Sequence, residues 1–149
     1  MVRTKIVLIC LISFFGIPQA LSDEAEQERQ FLSLVAEEGL ENVLLRLTKR
    51  WSEKFPIVDP YQFESGVQWT ATDGAAWGNT LNWFYHADVE YPSTDELLAR
   101  KLEQQCVESG RIYTRNGVRM RYHLINSNGV PVGGFTIDQE ACVLYIASK

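Results

Sequence analysis

Cysteine and histidine are scarce in this chain: it has three cysteines and two histidines, His86 and His123. No Cys-x-x-Cys pair occurs, and no cysteine has a histidine at metal-ligand spacing, so the familiar zinc and dithiol signatures are excluded. No G-x-S-x-G elbow is present to mark a nucleophile. Basic residues are outnumbered, 14 against 19 acidic, for a formal charge of −5. That argues against general nucleic-acid binding, which draws its affinity from phosphate neutralisation. Internal repeats, low-complexity segments and long linkers are also missing. The longest apolar run, Ile6–Ile17, falls short of the roughly 20 residues that a membrane-spanning helix needs.

That short run has its own meaning. Arg3 and Lys5 precede it, and Ala20-Leu21-Ser22 supplies a small-x-small pattern just before the acidic Asp23-Glu24-Ala25-Glu26. The arrangement predicts a signal peptide over residues 1–22, cut after Ser22, and a single domain over residues 23–149 with no transmembrane segment. Cys10 lies inside the apolar run behind Ile9, which does not suit a lipidation site. Loss of Arg3 and Lys5 takes the charge from −5 to −7. The expected location is periplasmic or secreted. Cys106 and Cys142 then remain as a pair in an oxidising compartment, and a disulfide between them is expected. Such a bridge contributes roughly 3–4 kcal/mol in the chain-entropy picture.

Hydrophobic periodicity predicts helix over Asp23–Phe55, with Phe31, Leu34, Val35 and Ala36 on one stripe and Leu40, Val43, Leu44, Leu47 and Trp51 on a second. Gly39 between them predicts a break. Val67–Thr72 alternates as a short strand, Ala75–Tyr85 is expected to be helical, and Ser93 with Glu96 has capping-box spacing before a helix that ends at Gly110. Beyond Gly110 the period becomes two. Arg111–Arg115 is expected as a strand, Asn116-Gly117 as a hairpin turn, and Val118–Leu124 as a half-buried strand with Arg119, Arg121 and His123 on its polar face. Val130–Ile137 follows, with Pro131 marking an edge and Gly133-Gly134 a bulge, and Cys142–Ala147 is expected as a last strand. The predicted class is α+β: N-terminal helices, then a three- or four-stranded antiparallel sheet, with one disulfide.

Two clusters stand out as candidate binding sites. Trp69, Trp77, Trp83, Phe84, Tyr85 and Tyr91 fall within a short stretch, and one helix face cannot bury Trp83, Phe84 and Tyr85 together. Trp77, Trp83 and Tyr85 are the aromatic candidates. Arg111, Arg115, Arg119, Arg121 and His123 reverse the local sign of an acidic protein. Arg119 and Arg121 are the cationic candidates, unless acids such as Glu37, Glu38 or Glu41 pair with them. His86, Asp88 and Glu90 form the only grouping of metal-ligand type, which equally suits a solvated loop. Catalytic residues, metal ligands and cofactors are not assigned.

The stretch Cys106…Gly117-Val118-Arg119-Met120-Arg121-Tyr122…Asn128-Gly129…Phe135-Thr136-Ile137…Cys142 resembles small secreted bacterial proteins of the quorum-sensing-regulated virulence factor type. The resemblance covers about a quarter of the chain and implies an exported accessory protein, with a virulence-associated role and no catalytic residues to carry over. The expected function is non-catalytic binding of another envelope or secreted protein. The alternative is a carrier holding a small apolar or anionic ligand between helices and sheet, near Trp69, Trp77 and Trp83. A hydrolase is the third possibility.

Overall fold

A computed structural model describes the chain from residue 21 onward, with side chains from residue 23. The expected leader, with Cys10, lies outside the described residues, save for Leu21 and Ser22 at the start of the first helix. Helix α1 spans Leu21–Glu38 and α2 spans Leu40–Ser52. Gly39 separates them at φ +82°, a conformation that glycine reaches without steric cost. The stripe of α2 is buried through Val43, Leu44, Leu47 and Trp51, and it packs on the sheet. Among the described side chains of helix α1, the apolar Phe31 is buried and meets Tyr113 edge-on.

The sheet has five strands in sequence order: β1 (Ile57–Val58), β2 (Trp69–Trp77), β3 (Thr80–Ala87), β4 (Arg119–Ile125) and β5 (Pro131–Ile137). Every neighbouring pair is antiparallel except β3–β4. The sheet is therefore mixed, not the antiparallel meander expected. A parallel pair needs a crossover, and here α3 (Asp95–Cys106) and the single turn α4 (Arg111–Thr114) supply it. Helix α5 (Gln139–Ala147) closes the chain, and the Cys106–Cys142 disulfide fastens it to α3.

Three segments differ in type from the sequence expectation. Ala75–Tyr85 is not a helix but the β2–β3 hairpin, turning at Gly78-Asn79 so that Trp77 pairs with Thr80. Strand geometry resolves the crowding of Trp83-Phe84-Tyr85: successive side chains go to opposite faces, and Trp83 and Tyr85 are buried while Phe84 is half-exposed. Arg111–Arg115 is not a strand: Arg111–Thr114 form a helical turn, in which Thr114 N and Arg115 N donate to Gly110 O and Arg111 O. Asn116-Gly117 consequently joins α4 to β4 instead of closing a hairpin. Cys142–Ala147 is helical: Asp138 caps it by accepting from Ala141 N, and a short apolar run carries no period of its own. At α3 the N-cap is Thr94, and the Glu96 carboxylate accepts from Ser65, so the capping box does not form.

Other expectations match. Met120, Tyr122 and Leu124 are buried while Arg119 and Arg121 are exposed. Strand β5, which starts at Pro131, lies at the sheet edge, and Val132 is the extra residue where the register with β4 slips beside Gly133.

Candidate functional site: the open face of the sheet

The register sorts the sheet into two faces. Trp69, Ala71 and Ala76 of β2, Leu81, Trp83 and Tyr85 of β3, Met120 and Tyr122 of β4, and Ile137 of β5 are buried on one side. Trp83 lies against Trp51 of α2, with ring centroids 4.6 Å apart, and against Phe55 at 6.1 Å. Tyr85 sits beneath the Lys101 ammonium of α3, 4.8 Å from the ring centroid. Burial, then the Asp59 charge, holds the Tyr85 hydroxyl well above the usual phenol range, so it stays protonated. Two of the three aromatic candidates are thus core residues beneath the helices.

The opposite face carries the rest. Directly paired residues share a face, and β4 runs beside β3 with Thr80 opposite Arg119 and Asn82 opposite Arg121. Trp77, Thr80 and Arg119 therefore form one row across three strands, and Ala75, Asn82, Arg121 and Thr136 form the next. At a strand spacing of about 4.8 Å, the Trp77 and Arg119 backbones stand roughly 10 Å apart. Trp77 is 64% exposed. The aromatic and cationic clusters, separate in the sequence, meet here through Trp77, Arg119 and Arg121.

Their surroundings are ordered. Phe84 and His123 stack at 4.6 Å with planes 11° apart, and His123 Nε2 shares a 3.0 Å hydrogen bond with Asn82 Oδ1. Burial, and then the Arg121 charge, lower the His123 pKa from its ordinary value, so the ring is neutral near pH 7. Arg119 Nε is 3.8 Å from Asp138 Oδ2. Arg121 forms no ion pair among the described residues, so its charge faces solvent. The other arginines of the cationic cluster go elsewhere: Arg111 binds Glu24, and Arg115 binds Glu28 and Glu24, tying α1 to α4. The acids that neutralise part of the cluster are therefore on the first turns of α1. Glu38 instead pairs with Arg46, and Glu41 accepts from Gly78 N.

Among the described residues, this face groups one exposed indole with two exposed guanidinium groups. Trp69 and Trp83 are core residues and Trp77 is on the other face, so those three do not line a pocket between the layers. Two clefts among the described residues lie between the start of β4 and α5 (about 450 Å³, with Val118, Asp138, Glu140 and Val143) and between Tyr61-Phe63 and α3 (about 320 Å³). Of the His86-Asp88-Glu90 grouping, Asp88 is engaged, accepting from Gln68 N. Sequence reasoning missed the outward apolar side of α5. Its signal is Asp138 ahead of Ala141-Cys142, a helix start where a strand was expected.

The fold is similar overall, and over most of this chain, to that of two solved type II secretion system pilotins. The pilotin EpsS of the Vibrio vulnificus type 2 secretion system aligns with a TM-score of 0.56 and 17% identity, over 79% of this chain and 96% of its own. The Vibrio cholerae pilotin AspS gives 0.57 and 17%, over 73% and 99%. A candidate secreted protein of Pseudomonas aeruginosa gives 0.55 and 17%, over 69% and 92%. The sequence matches no family model and no curated protein. At this identity the likeness is one of fold.

Proposed function

We propose that this chain is an exported, non-catalytic accessory protein of the bacterial envelope, matured by loss of residues 1–22, which acts by binding another envelope protein. A component of a type II secretion system is the first partner to test, given the pilotin-like fold. The observation that carries the reading is the open sheet face, where an exposed Trp77 stands beside Arg119 and Arg121, the latter with no ion pair among the described residues. An indole supplies apolar area to bury, and cations supply orientation and encounter rate toward an acidic partner surface. A flat exposed patch of this kind favours a protein partner over a carried small molecule, which needs an enclosing pocket.

The test is capture from the native envelope fraction by the tagged protein, with the bound proteins identified. A secretion-system component should be recovered by the wild type. It should be lost with Trp77→Ala and with Arg121→Glu, and weakened by added salt. Equal recovery by both variants rejects the sheet face as the site.

A further inference from the structure

Helix α5 is fixed in place with an apolar side turned outward. Val143, Leu144 and Ile146 are 61%, 66% and 56% exposed, while Cys142 is the buried residue of the helix. A frayed tail would also show such exposure, but α5 is braced along its length. Asp138 caps its start, the disulfide holds its middle, and Tyr145 Oη and Lys149 Nζ both donate to Glu103 Oε2 at its end. Contiguous exposed aliphatics on a rigid element mark an interaction surface more strongly than scattered ones do. This stripe also runs into the 450 Å³ cleft, where Val143 and Val118 form apolar walls and Asp138, Gln139 and Glu140 the polar lining. Asp138 is occupied by its cap and by Arg119. Glu140 forms no ion pair among the described residues and is exposed.

We infer that α5 and this cleft form a second docking face, which adjoins the open sheet face at the Arg119–Asp138 contact, for a segment of another protein that presents apolar side chains to Val143, Leu144 and Ile146 and a basic residue to Glu140. The acidic end of the stripe selects that chemistry. An anionic lipid surface is repelled by Glu140 and by a chain of net charge −5. A second copy fits poorly. The helix has 9 residues and is about 13.5 Å long, so two such stripes together bury far less than the roughly 800 Å² per partner of a stable interface.

The probe is a short fluorescent peptide with leucines along one helical face and lysines at one end, titrated with the purified protein by anisotropy. Its counterpart has glutamate in place of each lysine. The basic peptide should bind. Its affinity should fall at least about tenfold with Leu144→Lys and with Glu140→Lys, and should be unchanged in Trp77→Ala, which perturbs only the sheet face. Both substituted side chains are exposed, so melting should stay as in the wild type, and Leu144→Ser provides a second, milder variant. The inference is overturned if the basic peptide does not bind or if both peptides bind equally. It is also overturned if Leu144→Lys instead abolishes co-sedimentation with phosphatidylglycerol vesicles or a concentration-dependent dimer.

Discussion

Lys101 Nζ lies 2.8 Å from Asp59 Oδ2, with the two side chains only 2% and 5% exposed. Gln104 Oε1 accepts a further hydrogen bond from the ammonium at 3.1 Å, and the Asp59 backbone N–H donates to Trp69 O. The pair pins the loop after β1 to α3 across the core. Removing one member leaves the other charged and buried, which costs about 3–5 kcal/mol. Lys101→Met and Asp59→Ala should each lower unfolding stability by that amount in urea titrations. The double variant should lose less than the sum of the two. Single variants as stable as the wild type would show that the pair does not hold the loop.

The two tryptophans on opposite faces should separate binding from stability. Trp83→Ala empties the space against Trp51 and Phe55 and should destabilise by about 3–5 kcal/mol. Trp77→Ala should change stability by no more than about 0.5 kcal/mol, as surface substitutions do, while removing partner capture. Thermal melting and pull-down of both variants check this; a large loss of melting temperature in Trp77→Ala would make Trp77 structural.

The bridge joins residues 36 positions apart and fastens a helix that buries only Cys142 fully. Reduction, or Cys106→Ser with Cys142→Ser, should cost roughly 3–4 kcal/mol. The loss should be local first. Hydrogen exchange should accelerate in α5 while β3 and β4 remain protected, and uniform acceleration would contradict that order.

Helix α1 should loosen in acid. The hydrogen bond from the Arg115 guanidinium holds the Glu28 carboxyl below its ordinary value of 4.5, against a smaller opposing effect of burial. A carboxylate whose pKa is lower in the folded state stabilises fully above its unfolded value and loses that contribution as pH falls through the folded one. Exchange of α1 amides should therefore rise below about pH 4 before that of α2, with Glu28→Gln flattening the difference. Identical pH profiles for the two helices would exclude the Glu28 contact as the tether.

The parts of the fold that were legible before the structure share a physical feature: their signal is local. Gly39 breaks the helix because no neighbour need be known to say that glycine tolerates φ +82°. Arg119, Arg121 and His123 face one way because a strand has period two. The misread segments depend on distant contacts. Ala75–Tyr85 has acceptable helical spacing, yet the pairing of its second half with β4 and with its own first half made it a hairpin. Cys142–Ala147 is apolar enough for either state, and its cap with its bond to α3 made it a helix. Nothing local in Lys101 announces that it is buried, since its partner Asp59 is far away in the chain.

The sequence by itself determined the local grammar: which segments alternate, and where glycine and proline interrupt. These follow from backbone sterics and side-chain period, which act over a few residues. Tertiary structure alone decided that Trp77 and Arg121 share one face while Trp83 and Tyr85 lie on the other. It also decided that β4 runs parallel to β3, and that α5 turns its aliphatics outward. Strand register and helix docking are settled by surfaces that meet only when remote segments pack, so no short window of residues contains them.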